Sequence, residues 1–274
     1  MNPQPTDTKQ VGGVVLRSDP AREPCFTVVH TDAEMQEWPD MSAISRRERL
    51  HRHMNIEVGA MEIAARCLVD FPQAEWDVRM SLARQVADES RHSMLLLRRL
   101  RELGGFKGEF PIANFEWGVT LMLDDLLGRL AVQNRTFEAG LIDILGTMGR
   151  RWRDEAGDEA TAQIMESILA DEITHVRFAN HLIRRMAGQD PRSLFKVARA
   201  MSFLSRVNEQ LAPKAGDLNA VGVAWTEERR LPPVVNVEDR KEAEFTDEEI
   251  AEVLRQAGYR SLVSQPGARG HAVD

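Results

Sequence analysis

Two short segments of this sequence place a glutamate three positions before a histidine: Asp88-Glu89-Ser90-Arg91-His92 and Asp171-Glu172-Ile173-Thr174-His175. On an α-helix that spacing puts both side chains on one face, about one turn apart. A carboxylate and an imidazole held that way can bind one metal ion between them. Two such pairs on two helices, with one glutamate from each of two further helices, make the ligand set of a di-metal carboxylate site inside a four-helix bundle. A single Glu-x-x-His arises readily by chance. The reading therefore turns on whether both copies face a core, and whether two more core-facing glutamates exist.

The elements that must position these residues are legible from hydrophobic periodicity. Ser42 is a suitable N-cap for a first helix running to about Asp70, where Phe71-Pro72 stops it. Leu50, Met54, Met61, Ala64 and Leu68 form its apolar stripe. At about 100° per residue, Glu57 lies near the centre of that stripe and Glu62 roughly 110° away. Glu57 is thus the candidate ligand and Glu62 the reserve. A second helix, from about Glu75 to Leu103, ends at Gly104-Gly105 and sets Glu89 among Val78, Leu82, Leu96 and Leu100. A third, from near Asp124 to about Arg153, sets Glu138 on a face with Leu127, Ala131, Ile142 and Leu145. A fourth, from about Asp158 to Met186, sets Glu172 among Met165, Ile168, Val176 and Ile183. For Glu89 and Glu138 to lie equally deep, the second and third helices must run parallel, and the linker between them must cross the length of the bundle.

The prediction is an all-α fold with three parts: an irregular, proline-broken extension over residues 1–41, a di-metal four-helix bundle over 42–188, and a helical and irregular extension over 189–274. In that last part a helix is expected over Arg192–Leu211, an irregular wrap over 212–245, and a short helix opened by the capping box Thr246–Glu249. The last dozen residues have a disordered composition. Six ligand-type side chains on buried stripes would each cost several kcal/mol to desolvate without a metal.

Composition narrows the partners. A formal charge of −8 argues against bulk attraction to nucleic acid or anionic membrane, and there is no apolar run long enough to span a bilayer. With only Cys25 and Cys67, neither a disulfide framework nor a thiolate zinc site is expected, which fits a reduced, cytoplasmic setting.

The pattern Glu57, Glu89-x-x-His92, Glu138, Glu172-x-x-His175 resembles the ferritin-like di-iron carboxylate superfamily over residues 45–186. The stretches Asn55–Glu62 and Asn134–Gly140 are similar to a bacterial ferritin-like family of unknown function. The resemblance implies a ferritin-like bundle with one long crossover, and a pair of metal ions at Glu57, Glu89, His92, Glu138, Glu172 and His175. It also implies that Asp88 orients His175 and Asp171 orients His92, each accepting the N–H of a ligating imidazole. A donor set without sulfur suits iron, or manganese, better than Cu(I) or structural zinc.

Departures from better-known relatives restrict the chemistry. Leu96 stands where a radical tyrosine is usual in ribonucleotide reductase small subunits, and the one tyrosine, Tyr259, lies outside the bundle. Leu141 replaces the extra glutamate of rubrerythrin-type peroxidases, and Ile142 replaces a threonine common in bacterial multicomponent monooxygenases. Gln85 and Asn134, each one turn before a ligand glutamate, either line a substrate site or hydrogen-bond to a glutamate. His51 and His53, one or two turns before Glu57, could supply further ligands but are read as surface residues. Three arginine groups, at Arg46, Arg47 and Arg49, at Arg98, Arg99 and Arg101, and at Arg150, Arg151 and Arg153, gather at one bundle end. They fit helix-dipole complementarity better than RNA binding.

The function expected is an O₂-activating di-iron or Fe/Mn oxidase or oxygenase acting on a small organic substrate. It requires an electron-donor protein, and a homodimer is compatible with it. The competing readings are a ferroxidase, a tRNA-directed hydroxylase and a non-catalytic metal-binding interaction protein.

Overall fold

The computed structural model describes residues 7–219, 222–224 and 233–259. The expected disordered terminal dozen lies outside the described residues. The architecture is an all-α helical bundle built on helices α1 (Ala43–Asp70), α2 (Trp76–Glu102), α4 (Leu126–Val132) continued by α5 (Ala139–Asp154), and α6 (Glu159–Gln189).

Local chemistry sets the helix ends. The Ser42 hydroxyl accepts the Ser45 N–H at the start of α1, and Asp158 accepts from Thr161 at the start of α6. At the end of α2 the chain reverses through Gly104 at φ 81, and the Gly105 N–H returns to the Leu100 carbonyl at 2.9 Å. Only glycine adopts that left-handed turn without strain. Between α4 and α5 the helix widens into one π-helical turn, Gln133–Glu138, where the Ala139 N–H reaches back to the Asn134 carbonyl.

Two apolar layers fix the register. At one end Val78 and Leu82 of α2 pack with Leu127, Leu130, Ala179 and Ile183. At the other, Leu96 and Leu100 pack with Leu145, Trp152, Met165 and Ile168. The early residues of α2 therefore meet the early residues of the third bundle helix, and late meet late, so these two helices run parallel. The intervening chain crosses the bundle lengthwise. It contains β4 (Ile112–Ala113), which pairs in parallel with β3 (Val28–Val29), and the short helix α3 (Phe115–Thr120).

Two expectations need correction. The N-terminal segment is not wholly irregular: β1 (Thr8–Val11) and β2 (Val14–Arg17) form an antiparallel hairpin closed by Gly12 and Gly13 at φ 51 and 84. A two-residue Gly-Gly loop between apolar strands is a hairpin signal in its own right. Val11, Val14 and Leu16 pack on Ala200, Leu204 and Val207 of α7 (Ser193–Leu211). Nor is the 212–245 stretch irregular throughout, because α8 (Val237–Glu242) forms within it. Arg240 of α8 makes a buried ion pair with Asp143 at 2.6 Å and stacks on Phe245. The capping box of Thr246 and Glu249 then opens α9 (Asp247–Gln256). Residues 236–256 thus strap across α5 and α6, with Asn180 and Arg184 donating to the Ala243 and Glu244 carbonyls. Among the described residues no helix is long and apolar enough to cross a membrane.

Candidate metal centre

Midway along the bundle, between the two apolar layers, each of its helices contributes acid to one buried cluster. Glu57 comes from α1, Glu89 and His92 from α2, Glu138 from the end of the π turn, and Glu172 and His175 from α6. None of the six is more than 3 % exposed. Their donor atoms fall into two groups, each with all members within 4.8 Å of one another: Glu57, Glu89, His92 and Glu172, and Glu89, Glu138, Glu172 and His175. Glu89 and Glu172 belong to both. Nδ1 of His92 lies 3.1 Å from Glu89 Oε2 and 3.6 Å from both Glu57 Oε2 and Glu172 Oε1. Nδ1 of His175 lies 3.3 Å from Glu89 Oε1 and 3.5 Å from Glu172 Oε2.

Each imidazole turns its other nitrogen outward. Nε2 of His175 is 3.3 Å from Asp88 Oδ2, and Nε2 of His92 is 3.2 Å from Asp171 Oδ2. Arg91 pairs with Asp171 as well. With Nε2–H committed to an aspartate, Nδ1 is the nitrogen left to face the cluster.

The acids and imidazoles of the cluster shift one another's protonation. Burial, reinforced by Glu89, pushes Glu57 up to about 8 and Glu172 up to about 7. Burial and the charge of Glu172 hold Glu138 well above the ordinary carboxyl value. Glu89 goes the other way. Burial opposes its ionisation, but hydrogen bonds from His175, His92 and Glu57 prevail and keep it below the usual range. Burial likewise opposes the charge on His92, yet Glu57 and Glu89 raise that imidazolium to about 11. His175 is raised by Asp88, Glu172 and Glu89 in the same way.

The cluster fits metal cations on two counts. The donors are carboxylate oxygens and imidazole nitrogens converging on shared space. Glu57 Oε1, both oxygens of Glu172 and Nδ1 of His175 are also buried, in reach only of the cluster's own side chains and His53 and without a well-formed hydrogen bond. Buried polar atoms are seldom left so. These Glu and His residues can hold a metal ion.

Residues 6–251 match the model of the family described as "Protein of unknown function (DUF455)". The chain belongs to this family. No curated protein and no solved structure matches it. The DUF455 description assigns no activity, so the chemistry of this DUF455 chain is read from its residues.

Gln85 and Asn134 both meet Glu138 inside the bundle. Gln85 Nε2 donates to one carboxylate oxygen, while Asn134 Nδ2 donates to the other at 2.8 Å and to Gln85 Oε1 at 3.0 Å. The reserve ligand Glu62 is not in the cluster: it points away from the cluster and pairs with Arg22 at 2.8 Å. Most of the clustered arginines are engaged by acids, for example Arg47 by Glu109, Arg99 by Asp158 and Arg153 by Glu159 and Glu166.

His51 and His53 are not surface residues. His51 is fully buried, accepts the Gly108 N–H at 2.9 Å and packs against Phe26 and Phe110. His53, with a side chain 12 % exposed, has Nε2 2.7 Å from Glu57 Oε1. Burial lowers its pKa to about 4, so it meets Glu57 as a neutral imidazole near neutrality. The sequence reading weighs it as a further ligand and sets it at the surface instead. Its position one turn before Glu57 on the same helix was the available signal.

Proposed function

We propose that this chain is an O₂-activating di-iron, or Fe/Mn, oxidase or oxygenase acting on a small organic substrate. The observation that supports the reading best is the cluster itself. Six ionisable side chains no more than 3 % exposed share one interior, and several of their donor atoms face one another without a well-formed hydrogen bond. The buried acids take up protons to remain there, and cations lodged between them would replace those protons. Glu57 and His92 would hold one ion, Glu138 and His175 the other, with Glu89 and Glu172 shared. Hard oxygen and borderline nitrogen donors favour iron or manganese. When bound, a pair of such ions supplies electrons to O₂ one from each centre.

The remaining work falls to the protein. Asp88 and Asp171 fix the imidazole tautomers, so that Nδ1 is presented to the interior. Gln85 and Asn134 hold both oxygens of Glu138 in one orientation. Ile142, Leu145 and Val176, none more than 2 % exposed, keep the helix faces around Glu138 and Glu172 apolar. Electrons must come from a separate donor protein, because no flavin or iron–sulfur motif is present in the sequence.

Anaerobic loading with Fe(II), removal of unbound metal, metal analysis and O₂-uptake measurement test the proposal. About two ions per chain and O₂ uptake are expected, with both lost in Glu89→Ala and Glu172→Ala. A folded protein that retains no metal after loading overturns it.

A further inference from the structure

Two cavities lie end to end beside the acid cluster. The inner one, about 150 Å³, is lined by Glu57, Glu89, Glu138 and Glu172. The outer one, about 380 Å³, opens toward the surface between α1, α3 and the end of α7. Ile56, Glu116 and Phe137 line both, so these three side chains form the neck between them.

Two glycines keep this space open. Gly59 on α1 lines the outer cavity and Gly140 on α5 the inner one. Neither has a positive φ, and a Cβ built on either meets nothing within 4 Å. No backbone conformation and no close approach requires glycine there. Glycine inside a helix costs roughly 0.5–1 kcal/mol relative to alanine. What both positions share is the cavity that a side chain would enter.

Polar atoms without partners face the same space. Asn114, 5 % exposed, lines the outer cavity with Nδ2 unpaired, and Gln133, 2 % exposed, lines the inner one with Oε1 unpaired. Gln133 Nε2 donates to Glu116 Oε2 at 3.1 Å, which turns its free Oε1 and the Glu116 carboxylate into an acceptor pair at the neck. Phe115, Trp117 and Phe137 supply aromatic walls.

We infer that the two cavities are one substrate route and binding site. Its ligand is a small molecule with a single-ring apolar body and a hydrogen-bond-donating head, an amine or a hydroxyl, that engages Glu116 and Gln133. A volume of about 150 Å³ is enough for a benzene ring, which sets the scale of the part that reaches the acids. A carboxylate head is disfavoured at the neck, because Glu116 and Gln133 Oε1 are acceptors and offer it no proton. As the substrate site of an oxygenase this rests on the proposed metal centre; as a binding site it does not.

The test uses the full chain, metal-free and Mn(II)-loaded, with 4-fluorophenethylamine, 4-fluorophenethyl alcohol and 3-(4-fluorophenyl)propionate followed by ¹⁹F NMR titration. Saturable binding of the amine or the alcohol is expected in both forms, at least tenfold tighter than the propionate in the metal-free form. Gly59→Leu and Gly140→Leu should weaken it at least tenfold while melting no lower than wild type. Gly59→Leu should also keep the wild-type Mn(II) content. Glu116→Gln should erase the preference of amine over acid. Absence of saturable binding, equal binding of the propionate to the metal-free form, or wild-type affinity in both leucine variants overturns the inference. Loss of metal retention with amine binding intact would instead count against the oxygenase reading alone.

Discussion

Asp88 on α2 stands 3.3 Å from the histidine of α6, His175, rather than from the histidine of its own motif. Asp171 on α6 returns the relation to His92 at 3.2 Å. The two Asp-Glu-x-x-His segments are therefore cross-linked, each aspartate setting the ring of the other helix. The segments form one reciprocal unit, in which damage to one motif is felt in the other.

Asp88→Asn and Asp171→Asn should each weaken metal binding by roughly 10- to 100-fold, the usual range for the outer partner of a ligating histidine. Titration against a competing chelator reads this directly. Wild-type affinity in both variants would show that the aspartates do not support the ligands.

Metal-free protein should lose stability as pH rises from about 6.5 to 8. Glu57 is raised to about 8 and His92 to about 11, so in this window the folded state binds more protons than the unfolded one. Stability then falls with pH. His51 and His53, both lowered to about 4, add an opposite slope that is complete near pH 6.5 and leaves this window clear. Metal loading should abolish the slope, because cations replace the protons. Thermal melts of both forms across the window check it.

Glu172→Gln should raise the melting temperature of the metal-free protein while abolishing stable metal loading. Neither Glu172 oxygen makes a well-formed hydrogen bond, burial raises the carboxyl to about 7, and relieving that desolvation with a neutral amide is worth about 1–3 kcal/mol. A variant less stable than wild type in the absence of metal would contradict this account of the cluster.

Arg240→Ala should cost about 3 kcal/mol in urea unfolding. It leaves the Asp143 carboxylate without its cation, held by the Asn236 N–H alone, in a site where both side chains are under 10 % exposed. The double variant with Asp143→Ala should recover part of the loss. A cost under about 1 kcal/mol would mean that the strap is held by its apolar contacts alone.

Much of the bundle was legible because its signals are local. Ser42, Gly104 and the Thr246–Glu249 box mark ends, and the 3.6-residue period sorts Glu57, Glu89, Glu138 and Glu172 onto apolar faces. The structure gathers these four with His92 and His175. What the sequence could not give was long-range. The burial of His53 depends on how α1 meets its neighbours, and the pairing of Glu62 with Arg22 joins distant segments. The hairpin at Gly12-Gly13 was hidden by the surrounding prolines. The π turn leaves no break in the apolar pattern, since Ala131, Val132 and Ala139 on either side are all fully buried.

That turn carries one residue more than an ideal helix needs between Val132 and Ala139. Deleting a single residue there would tighten the backbone into a regular spiral and swing everything upstream by about a quarter of a revolution relative to Glu138. Asn134 would leave its carboxylate, and Gln133 would leave the neck. The wider coil is the joint at which the wall of the chamber and its acid floor are kept in phase.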